Sequence, residues 1–353
     1  MQLTSVPLLV PFALTAALVA GCAGSKESGE SPGTTTEPSE TGETGRNGPT
    51  AVWTEAFDTS SAGALSGVWG HAPDDVWIVG GVTEQGEAYH YDGAEWTQVA
   101  VPEGVGLLVW VYGFATDDVW AVGVDGAGAH WDGVEWSIVN FGTTEDLWGV
   151  FGFSNDDLWI VGGDPNEGDP LIIRYNAGTP TVVPVAASEN PRGAKSLFKV
   201  WGIDGELYIT GQTGTLLHWD GVEWRFESGG PEANQDFVSL WGSGLDRIVA
   251  VGGRGNGRIA HWNGTTWDTV APSGIGGLNA VTMVSPTEAV VGGVNGYVGS
   301  YDPSTGILTD EGFLTFDDIH AAWYDGAGTT WAVGGNFLEP FTGVAYSRRV
   351  EDG

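Results

Sequence analysis

Four histidines, His90, His130, His218 and His261, recur at one place in a repeated phrase, each followed by an aromatic residue, Tyr91, Trp131, Trp219 or Trp262. Histidine is a common metal ligand, but the ligands of one zinc ion must meet within about 2.0–2.1 Å of it. Histidines at equivalent places of a repeat stand apart, so they are read as one local contact made four times, with the aromatics beside them as packing residues. Arg192, Arg254 and Arg258 raise a second chemistry, recognition of a sugar carboxylate by an arginine cluster, for which their positions allow only partial convergence. Lys199 is one of three lysines and falls in an apolar stretch, where a charge needs a partner or water. The chain has one cysteine, Cys22, which excludes an internal disulfide and a cysteine-based zinc site. The strand-bearing part of the chain contains no G-x-S-x-G, and no H-E-x-x-H or G-x-x-x-x-G-K-S/T occurs, so the reading leans away from an enzyme.

Charge narrows the partners. There are 46 acidic and 12 basic residues, a formal net charge of −34. Nucleic acid is excluded as a partner, because phosphate binding needs a cationic stripe. The acidity reads as a solvated surface. Calcium is the one ion such carboxylates would suit, but no D-x-D-x-D-G run is present, and no cofactor is expected.

Residues 6–20, VPLLVPFALTAALVA, form an apolar run of signal-peptide length, short for a membrane span. Residues 1–21 are therefore read as a signal peptide. Val19-Ala20-Gly21-Cys22 resembles the bacterial lipobox, which implies that Cys22 is lipidated and becomes the mature N-terminus; the segment before the apolar run, Met1 to Ser5, carries no Lys or Arg. Residues 22–50 continue in Ser, Thr, Gly, Glu and Pro with no large apolar side chain, too little surface to offset the cost of ordering. Such a tether reaches roughly 30 Å. The lipid would be the sole membrane attachment, at the cell envelope, with Ala23 compatible with outer-membrane sorting.

The remainder, 51–353, must position everything else. Its phrase is clearest at 109–139, VWVYGFATDDVWAVGVDGAGAHWDGVEWSIV. Variants recur every 35–45 residues or so, the mark of a repeat fold, in seven units at about 64–102, 107–141, 147–186, 197–228, 237–272, 278–311 and 317–350. Runs of Val, Trp, Ile and Tyr bounded by Gly, Asp, Asn and Pro read as four strands per unit. Asp92-Gly93, Asp132-Gly133, Asp220-Gly221 and Asn263-Gly264 punctuate the third and fourth strands as hairpin turns. Units three and six depart, with YNAGTPT and YDPSTGI, and looser hairpins are expected there. The last unit lacks a fourth strand, and AVWTEAF (51–57) matches the missing type. The expected fold is all-β: a seven-bladed β-propeller of four-stranded antiparallel blades, closed by an N-terminal strand that completes the last blade and removes exposed edges. A monomer is expected.

The D/N-G-x-x-W step and the preceding Val-Trp-x-Val-Gly resemble bacterial β-propellers of the Asp-box and photosystem II assembly-factor type, over residues 51–350. In the sialidase Asp-box, S-x-D-x-G-x-x-W, Asp and Gly are one residue apart; here they are adjacent, so the match is to a structural turn rather than to an active site.

In a four-stranded meander the first-to-second and third-to-fourth turns share one rim, while second-to-third loops and blade links share the other. Nearly every long insertion falls in the second set: 82–87, 163–170, 186–196, 227–236, 253–258 and 335–342. Variable loops on one face of a repeat ring commonly bind. Departures within first strands, Trp110, Trp148, Lys199 and His320, point to the same mouth, joined by Arg192, Arg254 and exposed Phe337 and Phe341. The expected role is a lipid-anchored module binding an envelope or extracellular protein or glycan. The alternatives are an extracellular carbohydrate hydrolase or lyase with its site at the channel mouth, and a calcium-dependent scaffold.

Overall fold

The computed structural model describes residues 50–351. The expected signal peptide, Cys22 and the expected tether up to residue 49 lie outside the described residues. Seven four-stranded antiparallel sheets follow one another along the chain, forming a seven-bladed β-propeller. The innermost strands are Ala64–Ala72, Leu108–Ala115, Leu147–Ser154, Leu197–Ile203, Phe237–Gly244, Leu278–Ser285 and Asp318–Tyr324, one for each of blades 1 to 7.

The aromatic-Gly step of the repeat has a steric cause. A Cβ at Gly70 would stand 2.6 Å from Trp323 of blade 7, at Gly113 2.8 Å from Trp69 of blade 1, and at Gly242 2.4 Å from Trp201 of blade 4. The innermost strands of blades 1 to 5 thus pair an aromatic wedge with a glycine gap, and blade 7 keeps the wedge Trp323 but has Tyr324 in place of the glycine. Blade 6 carries Thr282-Met283 instead, and the Tyr324 amide of blade 7 donates to the Thr282 hydroxyl at 3.2 Å. A second tier of aromatics repeats the device further out. Trp77 of blade 1 meets Trp131 and Trp136 of blade 2 at 5.0 and 5.2 Å between ring centres, and Trp331 of blade 7 meets Tyr91 and Trp96 of blade 1 at 5.3 Å. These rings bring large apolar area out of water where two flat sheets would otherwise meet poorly.

The ring is closed as expected. Thr50–Glu55 pairs antiparallel with Thr342–Glu351 and is the outermost strand of blade 7. Trp53 Nε1 donates to Glu311 of blade 6 at 2.8 Å, and Glu311 also takes the buried guanidinium of Arg348 at 2.7 Å, with Glu288 at 3.0 Å. Burial works against the Arg348 charge, but the two carboxylates outweigh it and hold its pKa above the usual arginine value.

The expected looseness of units three and six is corrected. Asn176 pairs directly with Thr179, leaving the two-residue turn Ala177-Gly178, with φ of 45° and 84°. Two left-handed residues in succession match the twist of the flanking strands, so this hairpin is tighter than its equivalents. In unit six Asp302 pairs with Ile307, the same separation as Tyr91 with Trp96.

Candidate binding site at the long-loop mouth

The two rims are built differently. On the short-turn rim, a Cβ at Gly93 would lie 2.7 Å from the Asp74 Cβ, and one at Gly133 2.7 Å from the Asp117 Cβ, so third-to-fourth turns stack on first-to-second turns. Asp92 Oδ1 accepts from the amides of Ala94 and Glu95, Asp132 from Val134 and Glu135, Asp220 from Val222 and Glu223, and Asn263 from Thr265 and Thr266. These Asx turns hold the carboxyls of Asp92, Asp132 and Asp220 below the usual range, chiefly through the amides of Glu95, Glu135 and Glu223. Three of the four histidines pair inside their own blades: His90 with Asp75 at 2.7 Å, His130 with Asp118 at 2.8 Å and His218 with Glu206 at 2.7 Å. His261 instead meets the Tyr301 hydroxyl of the next blade at 2.8 Å. Among the described residues, no group of three or more His, Cys, Asp and Glu side chains is disposed to hold a metal ion.

The opposite rim alternates. Blades 2, 4 and 6 cross from second to third strand through tight turns, Val124–Gly126, Gln212–Gly214 and Val294–Gly296, whose middle residues Asp125, Thr213 and Asn295 have φ of 54°, 56° and 55°. The amide of each middle residue donates to an aspartate of the next blade: Asp146 at 3.0 Å, Asp236 at 2.9 Å and Asp318 at 2.8 Å. Blades 1, 3, 5 and 7 carry Gly-Gly at this place, and the second glycine, Gly81, Gly163, Gly253 or Gly335, has φ between 92° and 150°. The outcome is long loops in blades 3, 5 and 7, while blade 1 prolongs its strands to a tight hairpin at Val82 and Gln85.

Every innermost strand carries a β-bulge within its first three residues, at the end nearest this rim. The seven bulged residues are Ser66, Val109, Trp148, Phe198, Val238, Asn279 and His320. A bulge re-aims a side chain. All seven line one funnel, with about 890 Å³ of empty space when its solvent-open mouth is included. Lys199, Asp236, Gly253, Arg254, Val294 and Phe337 complete its wall.

The funnel gathers five of the seven residues expected to bind: Trp148, Lys199, Arg254, His320 and Phe337. Trp148 is fixed by its indole N–H, which donates to the Gly163 carbonyl at 3.0 Å. Arg254 spends its charge on buried Asp236, at 2.6 and 2.9 Å. His320 Nε2–H donates to the Gly335 carbonyl at 3.0 Å, its ring lies 4.5 Å from that of Phe337, and its Nδ1 is buried without a partner. Burial lowers the His320 pKa against the opposing pull of Asp318, the Gly335 carbonyl and Asp317, leaving a neutral ring at neutral pH. Trp110 sits one residue deeper than the bulges, buried, and the Lys199 Nζ lies 3.1 Å from the centre of its ring.

Arg192 stands apart. Its guanidinium, in the link before blade 4, donates to the carbonyls of Thr213, Gly214 and Ala233 and lies 5.4 Å from the Phe226 ring. It ties a link to a turn and does not reach the funnel. Phe337 and Phe341 are half-buried rather than exposed, and Phe341 lines a separate groove with Ser60, Glu87 and Pro340. Exposed aromatics on the way into blade 7 are Phe313, at the end of the outermost strand of blade 6, and Phe316, on the link that follows. Ser66, Val109, Phe198, Val238, Asn279 and Asp236 belong to the wall without having been singled out in the sequence.

No protein-family model matches the chain, and comparison with curated proteins gives no match. Solved structures do resemble it. YCF48, in a structure described as bound to D1 peptide, superposes with a TM-score of 0.61 at 13% identity, over 86% of this chain and 97% of its own. The WD40 β-propeller domain of Doa1 gives 0.62 at 13%, over 84% and 96%, and the WD40 repeats of RRP9 give 0.63 at 9%, over 86% and 99%. At such identities the likeness is one of fold.

Proposed function

We propose that this chain is a scaffold that holds a segment of a partner protein in the long-loop funnel, on a ring tethered to a bacterial envelope membrane by lipid on Cys22. The observation that carries the reading is the bulge ring. One backbone device, repeated in all seven blades, directs seven side chains into one funnel, and six different residue types occupy the seven places. Positions that serve closure recur; these do not. Trp148, Phe198 and Phe337 supply apolar anchors of the kind that dominate interfaces, with Asn279 and Ser66 as polar neighbours. The propeller fold is also that of YCF48, whose solved structure holds a peptide.

The test is selection of peptides from a random phage-displayed library on the purified propeller. Selected peptides should lose at least about tenfold in affinity on Trp148→Ala and Phe337→Ser. Failure to select any peptide, or peptides indifferent to both variants, would overturn the peptide reading, and a glycan array screened in parallel shows whether sugars take its place. The anchor is tested separately, by labelling cells that express the chain with an alkyne fatty acid: label should enter the wild type and be absent from Cys22→Ala.

A further inference from the structure

The funnel holds an amine with no carboxylate partner among the described residues. Lys199 occupies the position after the bulge in blade 4, one residue deeper than Phe198, and only 7% of it is exposed. The equivalent places in the other blades hold Gly67, Trp110, Gly149, Ser239, Ala280 and Ala321. Gly149, in the blade between Trp110 and Lys199, puts no side chain in the way, and the Lys199 Nζ rests 3.1 Å from the centre of the Trp110 ring. No carboxylate is its partner among the described residues. The other ionisable groups of the funnel are already engaged: Asp236 is held by Arg254 and by the Thr213 amide, and burial keeps His320 neutral. Burial pushes the Lys199 pKa well below the usual lysine range.

We propose that the funnel floor is a site for a small monocarboxylate with a flat apolar body, its carboxylate on the Lys199 Nζ and its body against Trp148, Phe198 and Phe337. A single charge follows from the count of free groups. One amine is available, and a doubly charged phosphate would face Asp236 and a chain of net charge −34 without a second cation. The aromatic and aliphatic wall favours an apolar remainder. A buried amine lacking a carboxylate partner holds its proton more tightly once an anion lies beside it. The site shares Trp148, Phe198 and Phe337 with the proposed peptide site, but its test needs no peptide and so stands or falls separately.

The experiment is titration calorimetry of the propeller with 4-phenylbutyrate near neutral pH, beside the uncharged 4-phenylbutyramide. The carboxylate should bind, the amide should bind at least about tenfold more weakly, and Lys199→Met should remove that preference. Absence of binding at millimolar carboxylate, or equal binding of the amide, would each overturn the proposal. Both of these outcomes are read on the wild-type chain, so they decide the matter even where the variant does not fold.

Discussion

The two rims of this ring are joined by the same strands, yet one is uniform and the other is not. On the short-turn rim, four blades repeat one Asx turn with a tryptophan behind it, and three repeat one His–carboxylate pair. At the long-loop mouth, the repeated element is only the backbone bulge, and its side chains run from Ser66 to Trp148 to His320. Where a neighbouring blade must receive a side chain, the residue type is fixed by the gap it enters. Where the side chain enters a funnel, packing makes no such demand.

The largest break in that comparison is expected at a wedge. Trp77 is almost wholly buried between Trp131 and Trp136, and Trp77→Ala should cost about 3–5 kcal/mol, read as a fall in the urea midpoint. Gly242→Ala comes next. Its new methyl would stand 2.4 Å from the Trp201 ring, and overpacking of this kind costs about 1–3 kcal/mol.

The third expectation has the opposite sign. Lys199 is buried without a charged partner, so Lys199→Met should stabilise the chain by about 1–3 kcal/mol near neutral pH. The folded-state pKa of Lys199 lies below the unfolded one, near 10.4. Between the two values the unfolded chain binds a proton that the folded chain does not, so wild-type stability falls as pH falls through that window. The advantage of the variant should therefore shrink as pH rises towards 10.4 and be largest below the folded value. Thermal unfolding of both chains across pH measures this, and an advantage independent of pH would contradict it. The smallest effect belongs to the ring of bulges: Asn279→Ala should change stability by no more than about 0.5 kcal/mol.

Much of this was legible in the residues. Glycine and tryptophan mark the blades because each acts locally: Gly93 makes a turn, and Gly242 makes room for Trp201. Closure was legible because blade 7 lacks a strand and Trp53 lies in a segment of the right type. The bulge ring was not, since a bulge is a slip in hydrogen-bond register with no residue signature. For that reason Trp148 and His320, which are bulged, were grouped with Trp110 and Lys199, which lie one position deeper. Arg192 looked free because its acceptors are backbone carbonyls, invisible to a reading of side chains. The alternation of Gly-Gly with Gly-x-x-Gly was present in the sequence and becomes meaningful only once Asp146, Asp236 and Asp318 are seen to cap the tight turns.

The most direct trial of the division between rims is hydrogen exchange of the propeller with and without a saturating selected peptide. Protection is predicted in the loops 163–170, 253–258 and 335–342 and at the head of the innermost strands, with none at the Asx turns 92–95, 132–135 and 220–223. Protection gathered on those turns, with the long loops unchanged, would contradict the account.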